Sequence, residues 1–229
     1  MKIRIAYSAK GPGIVASTVS PGTTQAERAY LELRERIIDM RLPPGTALDE
    51  EALMRELAVG RTPMREAVKR LESDRMLKVF PRRGTIIADV NIRDLKNISD
   101  ARRLLEAFAA RRAAEQATDE DRELLRTCLD DIEDQDFASN RLSVDLDGRI
   151  HRVVYTLMRN SYVEATLIQY FYLSQRMWNF VLSGLDPIQG HVNEHAELLR
   201  AIINGEPELA ARLAEDHVTH FEDRVRAAL

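Results

Sequence analysis

The chain has 229 residues, of which 45% are hydrophobic and 31% are charged, and its formal net charge is −4. This composition is typical of a folded protein with one large domain or two modest ones. The absence of any run of about 18 apolar residues predicts no membrane-spanning helix. A single cysteine excludes a disulfide scaffold and a cysteine-based zinc site. The first 20 residues lack the apolar core of a signal peptide, so we expect a cytoplasmic protein.

Basic and acidic residues are unevenly distributed along the chain. Residues 61–83 contain eight basic and three acidic side chains, whereas residues 118–147 contain eleven acidic side chains and three arginines. The net charge alone argues against a nucleic-acid partner. The distribution indicates instead one basic surface on an otherwise acidic protein, with two merely solvated faces as the simpler alternative.

Three short helices are predicted near the start of the chain, after a segment, 1–22, that we expect to be flexible. Apolar residues recur at helical spacing up to the turn at 42–45, whose two prolines and glycine end the first helix. A second helix begins after Asp49, a good N-cap residue. A third runs from about Arg61 to Asp74 and presents a single buried apolar stripe.

The residues after the third helix have strand-like patterning. Short β-branched or aromatic runs at 77–80 and 85–88 flank the tetrapeptide Pro-Arg-Arg-Gly at 81–84, which predicts a hairpin with a basic tip. Three helices followed by a hairpin indicate a winged helix-turn-helix domain, to which we assign residues 23–92. Such a domain places its recognition helix in the major groove of double-stranded DNA.

The remainder of the chain, residues 93–229, is predicted to be helical throughout. Apolar residues at three- and four-residue spacing, separated by helix breakers, predict six helices. They lie near 94–116, 119–136, 142–158, 161–183, 187–204 and 207–228. Short loops between them favour an antiparallel helical bundle, so the predicted fold class is mainly α.

The third helix carries basic residues at i, i+4 and i+8 on the face opposite its apolar stripe, with a threonine beside them. Arginine pairs with the O6 and N7 atoms of guanine, and threonine reaches phosphate or base. A solvated helix face is the alternative, but a basic wing tip at the right distance favours DNA binding. The candidate DNA contacts on this argument are Arg61, Thr62, Arg65, Lys69, Arg82 and Arg83.

The motif LMRELAVGRTPMREA at 53–67 closely resembles the DNA-binding signature of the GntR family of bacterial transcriptional regulators. The turn at 42–45 and the wing at 81–84 are similar as well, and the helical remainder resembles the FCD-type ligand-binding domain of the FadR subfamily. This resemblance implies that Gly84 also contacts DNA. It further implies a homodimer that binds a pseudo-palindromic operator and is released by a small organic acid, as a repressor would be.

Two residues depart from the family pattern. Gly60 stands where the family usually has serine or threonine, so a hydroxyl that contacts phosphate is lost, although glycine still serves as an N-cap. Glu51 occupies a position that is often arginine in relatives. We expect both departures to alter affinity or the preferred operator rather than the mode of binding.

All five histidines fall in the last third of the chain. Asp147 and His151 are four residues apart on one predicted helix face, as chelation requires, and His195 and His217 lie on the last two helices. Imidazole and carboxylate ligands suit zinc, nickel, manganese or iron. Histidines held only by hydrogen bonds are the alternative interpretation.

The resemblance bears on this cluster too. Many FCD domains carry one aspartate and three histidines with the same Asp-x-x-x-His spacing, which implies that Asp147, His151, His195 and His217 bind a divalent metal ion, with zinc favoured. Arg102 stands where relatives have an inward-pointing arginine, which implies an effector-binding role toward a carboxylate. A salt bridge from Arg102 to its own helix neighbour, Glu106, is the alternative.

Two other functions start from the same residues. His191, Glu194 and His195 fit the His-x-x-Glu-His pattern of one class of metallopeptidase, with two metal ligands and a general base. An architectural DNA-binding protein would use the helical domain for dimerisation alone and would need no effector. A regulator therefore predicts DNA affinity that changes with a small molecule, and a peptidase predicts hydrolysis.

Overall fold

The computed structural model describes residues 23–134, 140–181 and 189–228, and the segment expected to be flexible, 1–22, lies outside them. Within the described ranges the chain forms nine helices and one two-stranded antiparallel sheet. In chain order the elements are α1 (Gln25–Ile38), α2 (Glu50–Glu56), α3 (Arg61–Ser73), β1 (Leu77–Phe80), β2 (Gly84–Ile87), α4 (Arg93–Gln116), α5 (Asp119–Glu133), α6 (Asn140–Leu157), α7 (Ser161–Val181), α8 (Gln189–Ile203) and α9 (Pro207–Ala227).

The first three helices and the hairpin form the predicted winged helix-turn-helix. Asp49 caps α2 by accepting a 2.9 Å hydrogen bond from the backbone N–H of Ala52. Gly60 is the N-cap of α3 and offers no side-chain hydrogen bond there. Helices α1 and α3 pack together through side chains with no exposed surface, namely Leu33, Ile37, Met64, Ala67 and Leu71.

The wing is a hairpin of two four-residue strands in which Leu77 pairs with Ile87 and Phe80 pairs with Gly84. The second strand therefore spans Gly84–Ile87, one residue earlier than its apolar run predicts. Gly84 has a backbone φ of +88°, a conformation that other residues adopt at a cost. The tight turn thus leaves the two arginines before it at the exposed tip of the wing.

The helical domain is arranged around α4, which packs against α6, α7, α8 and α9. Gly205, with φ of +70°, ends α8 and allows the chain to reverse into α9, which packs beside it. The predicted mainly α class with an antiparallel bundle is confirmed. In the described part of the chain no helix is both long enough and apolar enough to span a membrane.

Candidate functional site

The bundle brings the four predicted metal ligands together. Asp147 and His151 come from α6, His195 from α8 and His217 from α9, and one potential ligand atom from each lies within 4.8 Å of the other three. Asp147 Oδ1 is 3.7 Å from Nε2 of His151 and 3.7 Å from Nε2 of His195. Metal–ligand bonds of roughly 2.0–2.2 Å place neighbouring ligand atoms at about this separation. All three histidines are at least 97% buried, so the cluster lies inside the domain.

His151 is oriented by two groups on the side away from the cluster. Its Nδ1 lies 3.3 Å from Glu106 Oε2 and 3.1 Å from the hydroxyl oxygen of Tyr155. A proton on Nδ1 is therefore hydrogen-bonded outward, and Nε2 carries the lone pair that faces Asp147. Among the described residues no hydrogen bond reaches Nε2 of His151. This buried lone pair fits a metal ion better than it fits an apolar core.

Glu194 orients His217 in the same way, because Glu194 Oε2 lies within hydrogen-bond distance, 3.1 Å, of His217 Nδ1. Its other oxygen accepts a 2.8 Å hydrogen bond from Arg224 and lies 3.3 Å from Nδ1 of His220. The carboxylate that a peptidase would need as a general base is thus held by three basic side chains. The side chain of His191, the other member of that pattern, lies outside the described residues.

Arg102 lies within α4, 2% exposed, and its Nε donates a 2.6 Å hydrogen bond to Glu106 Oε1. Burial would raise the pKa of the Glu106 carboxyl, but attraction to Arg102 and His151 and their hydrogen bonds lower it to about 2. The rings of Phe171 and Phe221 lie 5.9 Å and 5.3 Å from the Arg102 guanidinium carbon. The sequence-based alternative, a salt bridge to Glu106, is therefore present. Within the described chain the two terminal nitrogens of Arg102 make no hydrogen bond.

The predicted DNA contacts lie on α3 and at the tip of the wing in the N-terminal domain. All seven candidate residues on α3 and the wing are exposed. In the part of the chain that the structure describes, no side-chain hydrogen bond or ion pair reaches the basic members of this set. The neighbouring cations Arg70 and Lys78 differ, because they pair with Glu27 and Asp89. Among the predicted contacts, the cations without a carboxylate partner in the described chain are Arg61, Arg65, Lys69, Arg82 and Arg83.

Helix α7 connects the two regions. Phe171 packs its ring against His151, 4.8 Å between centroids. Other side chains of the same helix contact the N-terminal domain at the ends of α1 and α3, on α1 itself and just after β2. These contacts are Gln169 Nε2 to the Ser73 carbonyl at 3.0 Å, Asn179 Nδ2 to the Ile38 carbonyl at 2.9 Å, Arg34 above the Tyr172 ring at 4.0 Å, and Arg176 to the Ala88 carbonyl.

Fold and site together define a class of protein: a winged-helix DNA-binding domain joined to a helical ligand-binding domain. Residues 25–87 match the family model described as bacterial regulatory proteins, gntR family, and residues 97–220 match the FCD domain. The chain therefore belongs to the GntR family of transcriptional regulators with an FCD domain, as its resemblance predicts. The family consists of DNA-binding regulators, so the peptidase alternative is not supported.

Individual relatives agree with this assignment. The chain is 22% identical to the HTH-type transcriptional repressor RspR of Escherichia coli (strain K12) over 216 residues, 93% of each chain. It is 35% identical to the gluconate operon transcriptional repressor of Bacillus subtilis (strain 168), over 42% of this chain and 39% of the relative. The solved structure of E. coli McbR/YncC aligns with 89% of this chain and 98% of its own chain, at 20% sequence identity and a TM-score of 0.79. This similarity shows that the two proteins share a fold.

Sequence reasoning missed the residues that orient the candidate ligands. The sequence predicted Glu106 only as a salt-bridge partner of Arg102, and Glu194 only as the general base of a peptidase. No sequence signal pairs Glu194 with His217, because the two are 23 residues apart on different helices. Helical spacing does place Glu106 one turn from Arg102, but its contact with His151 depends on how α4 packs against α6.

Glu106→Gln tests how much the buried carboxylate contributes. The variant keeps the shape but leaves the Arg102 charge buried without a counter-charge, so we expect the free energy of unfolding to fall by roughly 3–5 kcal/mol. Glu208→Gln is the matched control, because that side chain is 74% exposed in its bridge to Arg111 and should change stability by less than about 1 kcal/mol. Urea denaturation followed by circular dichroism measures both. Equal effects of the two substitutions would contradict this account of Glu106.

Proposed function

We propose that this chain is a cytoplasmic, homodimeric repressor whose affinity for DNA is controlled by a small carboxylate bound at a divalent metal ion in the helical domain. The observation that carries the proposal is the convergence of one carboxylate and three imidazoles within 4.8 Å, beside a buried arginine. A purely architectural DNA-binding protein would have no use for this cluster, whose burial of polar side chains costs stability. The relatives named as repressors support the direction of control.

The DNA-binding half of the proposal rests on the exposed basic surface. Arg61, Thr62 and Arg65 lie in the first turns of α3, where a recognition helix reaches base edges. Lys69, further along the helix, would contact a DNA phosphate. The wing, with Arg82, Arg83 and Gly84, would contact the DNA backbone or the minor groove. Two copies related by a two-fold axis would read a pseudo-palindromic operator. Cations without carboxylate partners favour this role, because neutralising phosphates releases counterions.

The effector half rests on the donor set. Asp147, His151, His195 and His217 would hold the metal ion, and zinc suits one carboxylate and three neutral imidazoles, with nickel, manganese and iron as alternatives. When bound, the ion would supply a positive charge that attracts a carboxylate ligand. Arg102 would bind the effector carboxylate through the terminal nitrogens that its contact with Glu106 leaves available.

Control of DNA binding requires a physical connection between the two halves, and α7 supplies one. A ligand that shifts Phe171 acts on the helix whose other side chains hold the last residues of α1 and α3. Because α7 is one continuous helix, a change at Phe171 would alter the orientation of the recognition helix rather than its fold. A coupling of about 1–3 kcal/mol gives a 5–150-fold change in DNA affinity.

Arg65→Ala tests the recognition surface. If Arg65 reads a base, the variant loses about 1–3 kcal/mol of binding free energy and discriminates less at that position, whereas Lys69→Ala weakens binding to all sequences and lowers the salt slope by about 1. Fluorescence anisotropy on a duplex selected from random sequence measures both. Arg126→Ala is the control that should bind like the parent, because Arg126 is an exposed side chain of α5 in the helical domain. Unchanged binding by Arg65→Ala would refute the assignment.

His217→Ala tests the metal site. Removal of a metal ligand should weaken zinc binding by more than about a hundredfold. Even the loss of a residue that only hydrogen-bonds to a metal ligand lowers metal affinity about 10–100-fold. His220→Ala is the matched control, because that ring is 55% exposed and lies 3.3 Å from Glu194 Oε1, the oxygen that does not face His217. Competition with a chromophoric chelator reports the affinity. Parent-like zinc binding by His217→Ala would remove this residue from the site.

The double variant Gln169→Ala/Asn179→Ala tests the connection through α7. Both side chains bond to backbone carbonyls of the N-terminal domain and neither belongs to the metal cluster. We expect effector affinity to remain while the effector-dependent change in DNA affinity shrinks toward unity. Thr166→Ala is the control on the same helix, since its hydroxyl bonds only to the Tyr162 carbonyl. A double variant that responds to effector as fully as the control would show that α7 does not transmit the signal.

A further inference from the structure

An open notch lies on the surface of the N-terminal domain between α2 and the start of α3. Its lining includes the buried Val59 and the half-buried Met54, together with three exposed charged residues, Glu51, Arg55 and Arg61. Arg61 is the first residue of the recognition helix and a predicted DNA contact. The notch therefore adjoins the predicted DNA-binding surface, and it contains one carboxylate between two guanidinium groups.

The carboxylate in the notch differs from the other two glutamates of α2. Glu50 accepts a 2.7 Å hydrogen bond from the second strand of the wing, and Glu56 forms a 2.6 Å ion pair with Arg36. Glu51 makes no hydrogen bond or ion pair with the residues that the structure describes, although Arg55 follows it by one turn on the same helix. Its exposed oxygens are thus available to a donor from outside the chain.

A carboxylate beside DNA is repelled by the phosphates, so it weakens binding to any sequence unless a base donates a hydrogen bond to it. In the major groove the donors are the N4 amino group of cytosine and the N6 amino group of adenine. Adenine also presents the acceptor N7 next to its amino group, which repels a second carboxylate oxygen. Thymine and guanine present only acceptors. Cytosine is therefore the base that a glutamate fits best.

We infer that Glu51 is a specificity-determining residue that accepts a hydrogen bond from the N4 amino group of a cytosine in each operator half-site. The inference rests on the proposed function, because it requires α3 to lie in the major groove. Within the notch, Arg61 offers hydrogen-bond donors and Glu51 offers acceptors, so the two side chains distinguish different bases. Glu51 contributes discrimination rather than affinity, since it repels every phosphate and is compensated only by a cytosine.

Binding of the full chain to duplexes that differ at one base pair tests the inference. The operator is selected from random sequence, each cytosine of a half-site is replaced in turn by thymine, and fluorescence anisotropy gives the affinities. At one position we expect thymine to weaken binding of the parent roughly tenfold. Glu51→Gln should bring this ratio close to unity, because a neutral amide also donates to thymine O4. The same variant should bind a random duplex roughly two- to threefold more tightly, since one negative charge is removed.

Glu56→Gln is the matched control. It removes a carboxylate from the same helix, but that side chain is 57% exposed in its ion pair with Arg36 and does not line the notch. The control should keep the cytosine preference of the parent. The melting temperature gives a second readout, because Glu51→Gln breaks no contact with the described residues and should melt like the parent.

A role of Glu51 in only holding Arg61 in place predicts a different result. Glu51→Gln would then weaken a preference for guanine and leave the ratio between cytosine and thymine unchanged, which would overturn the inference. Equal affinity of the parent for cytosine and thymine at every position would overturn it as well, while DNA binding through α3 stands. A chain that selects no sequence from random duplexes would contradict the proposed recognition surface itself.

Discussion

The Glu106 carboxylate is shared between two groups that the helical domain must hold in place. One oxygen accepts from Arg102 and the other faces Nδ1 of His151, and all three side chains are at least 96% buried. Removing these groups from water is expensive, and apolar residues of similar volume would stabilise the bundle at least as well. The arrangement fits the proposed binding role, because it orients one imidazole toward the proposed metal position and places an arginine beside it.

The pairing of charged groups differs between the helical domain and the DNA-binding domain. Inside the helical domain, Glu106 is matched with Arg102, and Glu194 contacts Arg224, His217 and His220. On α3 and the wing, Arg61, Arg65, Arg82 and Arg83 have no such partner among the described residues, so that surface keeps its positive potential. A net charge of −4 is compatible with DNA binding because most of the acidic residues lie elsewhere in the chain.

Local sequence patterns were sufficient to predict most of the secondary structure and part of the candidate site. Helical spacing, the Asp49 cap and the hairpin at Gly84 follow from short-range physics, and the four-residue interval between Asp147 and His151 already placed two ligands on one face. The pairing of Glu194 with His217 and the contacts of α7 with the N-terminal domain depend on how distant helices pack. No local periodicity encodes such contacts, so Gln169 and Asn179 carried no signal in the sequence.

A thermal-shift screen of small carboxylates, run with and without a metal chelator, tests the central claim most directly. A ligand that binds only the folded chain adds about 2.7 kcal/mol of stability at one hundred times its dissociation constant. The account predicts that at least one carboxylate raises the melting temperature and that the chelator abolishes this rise. Stabilisation that persists in the chelator, or a chain that responds to neither carboxylates nor chelator, would contradict a metal-bound effector and leave the histidine cluster as ordinary core.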